Sequence, residues 1–181
     1  MAPVGMFSAA PYHIISYGTL LGTTVFHTFV GGIISYQHLP RPFFGSLMAK
    51  IFPAYFVMQT ALPVVLALTY PGSVLTGAAS GVAGVLQPAN RWSVLMPLAL
   101  ALAGGVANLA VVGPATTQCM EDRRVQEKKD GKKAYDAAPH SQEMTAMNKR
   151  FSILHGVSSA LNLVEFFALL GYGFTLAARV V

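Results

Sequence analysis

Charge is scarce in this sequence. Only 10% of its 181 residues are Asp, Glu, Lys or Arg, while 54% are hydrophobic. A soluble domain carries roughly 25% charged residues, so the class this composition points to is an integral membrane chain. At this length it reads as a single domain over residues 1–181. Acids are scarcer still, and the formal net charge is +5. Cysteine is nearly absent: the single residue Cys119 excludes an internal disulfide. It falls at the end of the third apolar run, where an inert thiol and a palmitoylation site are both open readings. Walker loops, GxSxG, HExxH and CxxC are missing, and no catalytic residue set stands out. The first thirteen residues contain no Lys or Arg. They therefore lack the basic n-region of a cleaved signal peptide and the Arg-rich pattern of a mitochondrial presequence. The first hydrophobic helix is expected to serve as the insertion signal and to stay.

What is present is long apolar runs. A span needs about 20 mainly apolar residues to cross a hydrocarbon core of about 30 Å. Four are predicted, at about 14–36, 46–70, 92–118 and 151–178, giving an all-α, four-helix membrane bundle. No charged residue falls between Ile14 and Tyr36, or between Lys50 and Arg91. Pro40 and Pro42 break the chain after the first run. Pro53, Pro63, Pro97 and Pro114 do not veto the spans, because neighbouring helices can satisfy the carbonyls a proline frees. Kinks are expected near Pro63 and Pro114. The uncharged, Gly-rich segment 71–90 reads as a loop with a short helical turn.

Four spans put both termini on one side. Arg41, Lys50, Arg123, Arg124, Lys128, Lys129, Lys132, Lys133, Lys149 and Arg150 then share the other, leaving Arg91 and Arg179 opposite. By the positive-inside rule the basic side is cytoplasmic, and the termini face a lumen or the exterior. The loop at about 119–150 also holds every acid except Glu165. Basic residues diluted by acids, with little aromatic interleaving, argue against nucleic acid. They fit the anionic face of a lipid bilayer. The loop is expected to begin as an extension of the third helix and to end as a cap on the fourth. The pattern fixes orientation and leaves mitochondrial, secretory and plasma membranes open.

The spans also carry polar residues. At 100° per residue, Ser152, His155, Ser158, Ser159, Asn162 and Glu165 fall in one arc of about 140° on the fourth span, which is expected to face protein or water. The first span carries a similar stripe through His13, Ser16, Tyr17, Thr24 and His27. At 1.5 Å per residue, His27, Gln59, Asn108 and Asn162 all lie about 14–18 Å from the basic edge, in one layer. His155 is shallower, at about 8 Å, and Glu165 deeper, at about 22 Å. Amides in such a layer serve as hydrogen-bond glue between helices or line a site. An ionised carboxylate at mid-membrane is costly, and no Lys or Arg lies at the depth of Glu165. An uncharged carboxyl is expected there, either hydrogen-bonded or functional. Gly18 with Gly22, and Ala101 with Gly105, are small-xxx-small pairs expected to pack helices closely.

Several blocks resemble a known family. "HIISYGTLLGTTVFHTFVGG", "LPRPFFGSLMAKIFPAYF", "NLAVVGPATTQCMEDRRVQEKKDG" and "FSILHGVSSALNL" are similar, in that order, to the transmembrane protein 205 family with its DUF4149 domain. The resemblance implies a four-helix eukaryotic membrane protein without an assigned reaction, whose human member is linked to platinum-drug resistance and vesicular traffic. His13, Arg41, Asn108, His155, Ser158, Ser159 and Asn162 match family positions, whereas His27 and Glu165 depart from the pattern. His13 before a small-residue run also resembles CopD-like four-helix proteins, some of which handle copper or haem. Candidate ligands for such a group are His13, His27 and His155, with Met48, Met58, Met96 and Met120 as soft ligands or core filler. His13 and His155 are about 20 Å or more apart in depth, which counts against their sharing a site.

The expected function is a non-enzymatic scaffold or accessory subunit of a membrane complex, with other membrane subunits or a second copy as partner and no cofactor. Two alternatives are a small transporter or resistance factor for metal-like or cationic solutes, and a haem- or copper-binding CopD-like protein.

Overall fold

In lipid a chain has no water to satisfy its backbone, so an apolar run closes its hydrogen bonds within a helix. The structure, a computed structural model, describes residues 8–72 and 78–180. Its helices are α1 (Ala9–His38), α2 (Arg41–Leu68), the short α3 (Gly81–Val85), α4 (Pro88–Asp130) and α5 (Gln142–Val180). The four long ones are each long and apolar enough to cross a membrane. They alternate in direction, so the starts of α1 and α4 share one end with the finish of α5. The reading of the N-terminal arm rests largely on residues 1–7, outside the described residues, and 73–77 of the Gly-rich segment are outside them too.

Local chemistry sets the ends. Leu39 is extended ahead of Pro40, which closes α1. Pro40 caps α2 and Pro42 fits its first turn, where an N–H is not needed. Pro53 and Pro63 lie inside α2 without ending it. Gly131, with φ 62°, stops α4 in the left-handed conformation that glycine tolerates best. Ser141 Oγ accepts the Met144 N–H at 3.1 Å and caps α5. Its hydroxyl also donates to Asp130 at 2.7 Å, which ties the two helix ends together.

Both long helices therefore overrun their apolar segments. The expected loop at 119–150 is helical through Asp130 and again from Gln142, leaving 131–141 as the connection. Polar helix formers continue each helix once the apolar run has nucleated it. The segment 71–90 contains the five residues of α3 and a 3-10 turn at Pro88–Asn90, as the short-turn reading expects.

Three π-helical stretches interrupt the spans, at Phe26–Gly31, Arg91–Leu95 and Asn108–Val112. The last precedes Pro114, whose missing N–H leaves a carbonyl without its usual partner. α2 and α4 pack tightly at Gly105, where a Cβ would stand 2.7 Å from the Gln59 backbone. α5 packs along α4, and α1 lies on α2 and on the terminal half of α5. The apolar core, with Leu20, Leu66, Leu98, Ala101 and Leu169, fills that terminal half.

The small-residue expectation splits. Ala101 is fully buried and Gly105 sits against α2. Gly18 and Gly22 are exposed, and a Cβ at either would meet nothing within 4 Å. That pair does not pack this bundle, because it lies on the outward side of α1, away from Leu20 and Thr24, which turn in.

Candidate functional site

The polar layer assembles around α5. Its inward seam repeats every seven residues through Phe151, Ser158, Glu165 and Tyr172, with Asn162 and Leu169 beside it. Asn162 and Glu165 project into the centre of the bundle, where Glu165 is 1% exposed. α2 contributes Tyr55 and Gln59, one turn apart and both buried. α4 contributes Asn108, which opens its second π-helical stretch and is also buried.

These groups bond to one another across three helices. Gln59 Nε2 donates to Tyr55 Oη at 2.7 Å, to Asn162 Oδ1 at 3.1 Å and to Glu165 Oε2. Asn108 Nδ2 donates to the same Asn162 Oδ1 at 3.0 Å. From α1, Thr24 and Thr28 turn buried hydroxyls towards the Tyr55 hydroxyl without reaching hydrogen-bond geometry. Among the described residues Glu165 has no ion-pair partner; the ion pair found there joins Lys133 to Glu127 at 3.3 Å.

The rest of the expected layer does not join these hydrogen bonds. His27 is half-buried and packs its ring 4.7 Å from that of Tyr55. Ser158 is half-buried. Ser159 donates back to the His155 carbonyl at 2.9 Å within its own helix. His155 is exposed and stacks on Phe151, centroids 6.1 Å apart. The reason is the path of α1. Higher on α5, Phe166 meets Phe29, and Gly173 lets Tyr17 reach the Leu169 carbonyl at 3.1 Å. Below Phe29, α1 leaves α5 and pairs with the start of α2, through Tyr36 against Phe44 and the Arg41 guanidinium 3.5 Å over Tyr36. Ser152, His155 and Ser159 stand on the face that α1 has left.

A second cluster lies towards the terminal end. The Thr69 hydroxyl donates to the Val65 carbonyl at 2.7 Å and so accepts from His13 Nδ1 at 3.1 Å. That leaves His13 Nε2 to accept from the Tyr172 hydroxyl at 2.6 Å. His13 is fully buried, with Tyr70 and Tyr172 edge-on to its ring. The three histidines named as candidate ligands thus sit in three different surroundings. Among the described residues no group of three His, Cys, Asp or Glu side chains could hold a metal ion.

The basic residues gather at the opposite end. Arg123 lies 4.5 Å over the Phe151 ring. Lys128 and Lys129 occupy the last turn of α4, where positive charge suits the helix dipole. Lys132 donates to the Pro139 carbonyl at 2.7 Å, and Lys149 and Arg150 are exposed on α5. Lys50 and Arg124, with Ser46, Thr117 and Glu121, line an open cleft of about 200 Å³ between α2 and α4. Cys119 is buried, its thiol 3.6 Å from the Met147 carbonyl.

Sequence reasoning missed Tyr55, Thr28, Thr69 and Tyr172. Spacing could have found two of them: Tyr55 is four residues before Gln59, and Tyr172 seven after Glu165.

Comparison with known proteins adds two matches. Residues 15–125 match the model described as "Domain of unknown function (DUF4149)". The chain is also 32% identical, over 168 residues, to Xanthocillin biosynthesis cluster protein D of Aspergillus fumigatus, covering 93% of this chain and 88% of that protein. No solved structure matches.

Proposed function

The chain belongs to the DUF4149 family, and from that premise we propose that it is a non-enzymatic multi-pass membrane protein acting as an accessory subunit of a membrane complex. Within the family we place it beside the transmembrane protein 205 group, on the sequence blocks quoted above. The basic end is read as cytoplasmic and both termini as facing away from the cytosol. The Aspergillus relative is named for a biosynthesis cluster, which suggests a biosynthetic setting for the complex.

The carrying observation is the face of α5 that α1 leaves open. Ser152 and His155 are exposed within the spanning helix, and a Cβ on the neighbouring Gly156 would meet nothing within 4 Å. An imidazole within a spanning helix turns towards protein or water rather than lipid. A partner helix packing on Gly156 could approach closely and reach both polar side chains. The test is co-purification from mild detergent after cross-linking in the membrane. A stoichiometric membrane partner, lost in Gly156→Leu while the bundle melts as before, supports the reading. A clean monomer in both proteins sinks it.

A second reading, a transporter or resistance factor for small cationic solutes, is favoured by one observation: a buried carboxyl with no basic partner. Transport into reconstituted vesicles that Glu165→Gln leaves unchanged would count against it.

A further inference from the structure

The central cluster leaves acceptors unmet. Asn162 Oδ1 accepts from both Gln59 and Asn108. The Gln59 amide has two hydrogens and three acceptors within reach: Tyr55, Asn162 and Glu165. Three side-chain oxygens in the same cluster, Gln59 Oε1, Asn108 Oδ1 and Glu165 Oε1, are buried and receive no hydrogen bond. All three are acceptors, where a cluster that merely glued helices would spend its acceptors on donors of its own.

We propose that this cluster is a binding site for a small hard monovalent cation of the sodium class, held by Glu165 with neutral oxygens from Gln59 and Asn108. The chemistry of the set selects the ligand. Every unpaired atom is oxygen, which suits hard alkali and alkaline-earth ions and not soft metals. The cluster holds a single carboxylate, so one positive charge neutralises it, whereas a divalent ion would leave net charge buried. Thr24 and Thr28 bring two further buried hydroxyl oxygens to its α1 side. Helix geometry points to the same place independently. Thr28 lies in the π-helical stretch Phe26–Gly31 and Asn108 begins another, and such insertions gather at functional sites. The site does not depend on the accessory-subunit reading, and its test uses the chain without a partner.

The experiment compares the purified full chain in sodium chloride and in choline chloride at equal ionic strength and fixed pH. It reads thermal melting and equilibrium binding of radioactive sodium. Saturating sodium is expected to raise the melting temperature by about 3–8 °C through linkage, with saturable binding of a single sodium per chain. Glu165→Gln, which keeps the shape and removes the charge, is expected to abolish both. Should that variant fail to fold, Thr28→Val and Asn108→Ser are expected to raise the half-saturating sodium concentration about ten-fold, equivalent to roughly 1.4 kcal/mol. Identical melting in the two salts with no bound sodium overturns the proposal. So does a sodium effect that persists in Glu165→Gln, or melting that responds to pH alone, which would mean that the carboxyl holds only a proton.

Discussion

The bundle buries two polar clusters, and they are balanced in opposite ways. At the terminal end Tyr172, His13, Thr69 and the Val65 carbonyl form a chain in which each donor meets an acceptor. In the middle, Gln59 and Asn108 donate into Asn162 and Glu165 while three oxygens remain unmet. The two lie on the same seam of α5, a heptad apart at Glu165 and Tyr172. A shared seam and shared helices therefore do not make them equivalent. A closed chain fixes helix register and asks for nothing more. An open one is costly until something donates to it, which is why the central cluster, and not the histidine, is the candidate site.

Four substitutions test that contrast, in descending order of their effect on stability. Gly105→Val should break the central cluster while sparing the other. A side chain there overlaps the α2 backbone at Gln59 and should cost about 3 kcal/mol of bundle stability, read by thermal or denaturant melting. Asn162→Leu removes the acceptor that Gln59 and Asn108 share. A loss of about 2 kcal/mol is expected, and a loss under a few tenths would show that the amides bind elsewhere. In the terminal cluster, Tyr172→Phe removes the donor to His13 and should cost about 1 kcal/mol, within the range for buried hydrogen bonds between membrane helices. Glu165→Gln sharpens the comparison most although its effect on stability is least. It adds two hydrogens beside unmet acceptors, so melting in choline is expected to stay level or rise. A fall as large as that of Tyr172→Phe would mean that the central cluster was already balanced.

Much of this was legible in the residues. The low charge, the four apolar runs and the proline punctuation identify the helices, since lipid permits few alternatives. The depth count put Gln59, Asn108 and Asn162 in one layer, and these three bond together in the structure. Glu165 was placed a turn deeper, yet it joins them through Gln59, whose side chain spans the difference. The same count put His27 in that layer and His155 shallower; neither joins the hydrogen bonds of the cluster, although the His27 ring packs on Tyr55. Depth says how far along the membrane a residue lies, and a helical wheel says which way it points relative to its own helix. Neither says which neighbour is present. His155 shares the arc of Asn162, but α1 covers that side of α5 only above Phe29. Gly18 and Gly22 fail as intramolecular packing residues for a related reason: the motif marks a surface that allows close approach, not one that receives it.

Residue order alone, then, was enough to give the number of long apolar helices, their order, the gathering of charge at one end and the position of each polar group along its helix. These follow from local and one-dimensional rules: hydropathy over a window, rise per residue and the positive-inside bias. Only the tertiary structure decided which polar groups meet. Partnership depends on crossing points such as Gly105 on Gln59 and on the divergence of α1 from α5. Both are set by side-chain packing between segments far apart in the chain, which no periodicity within one helix encodes.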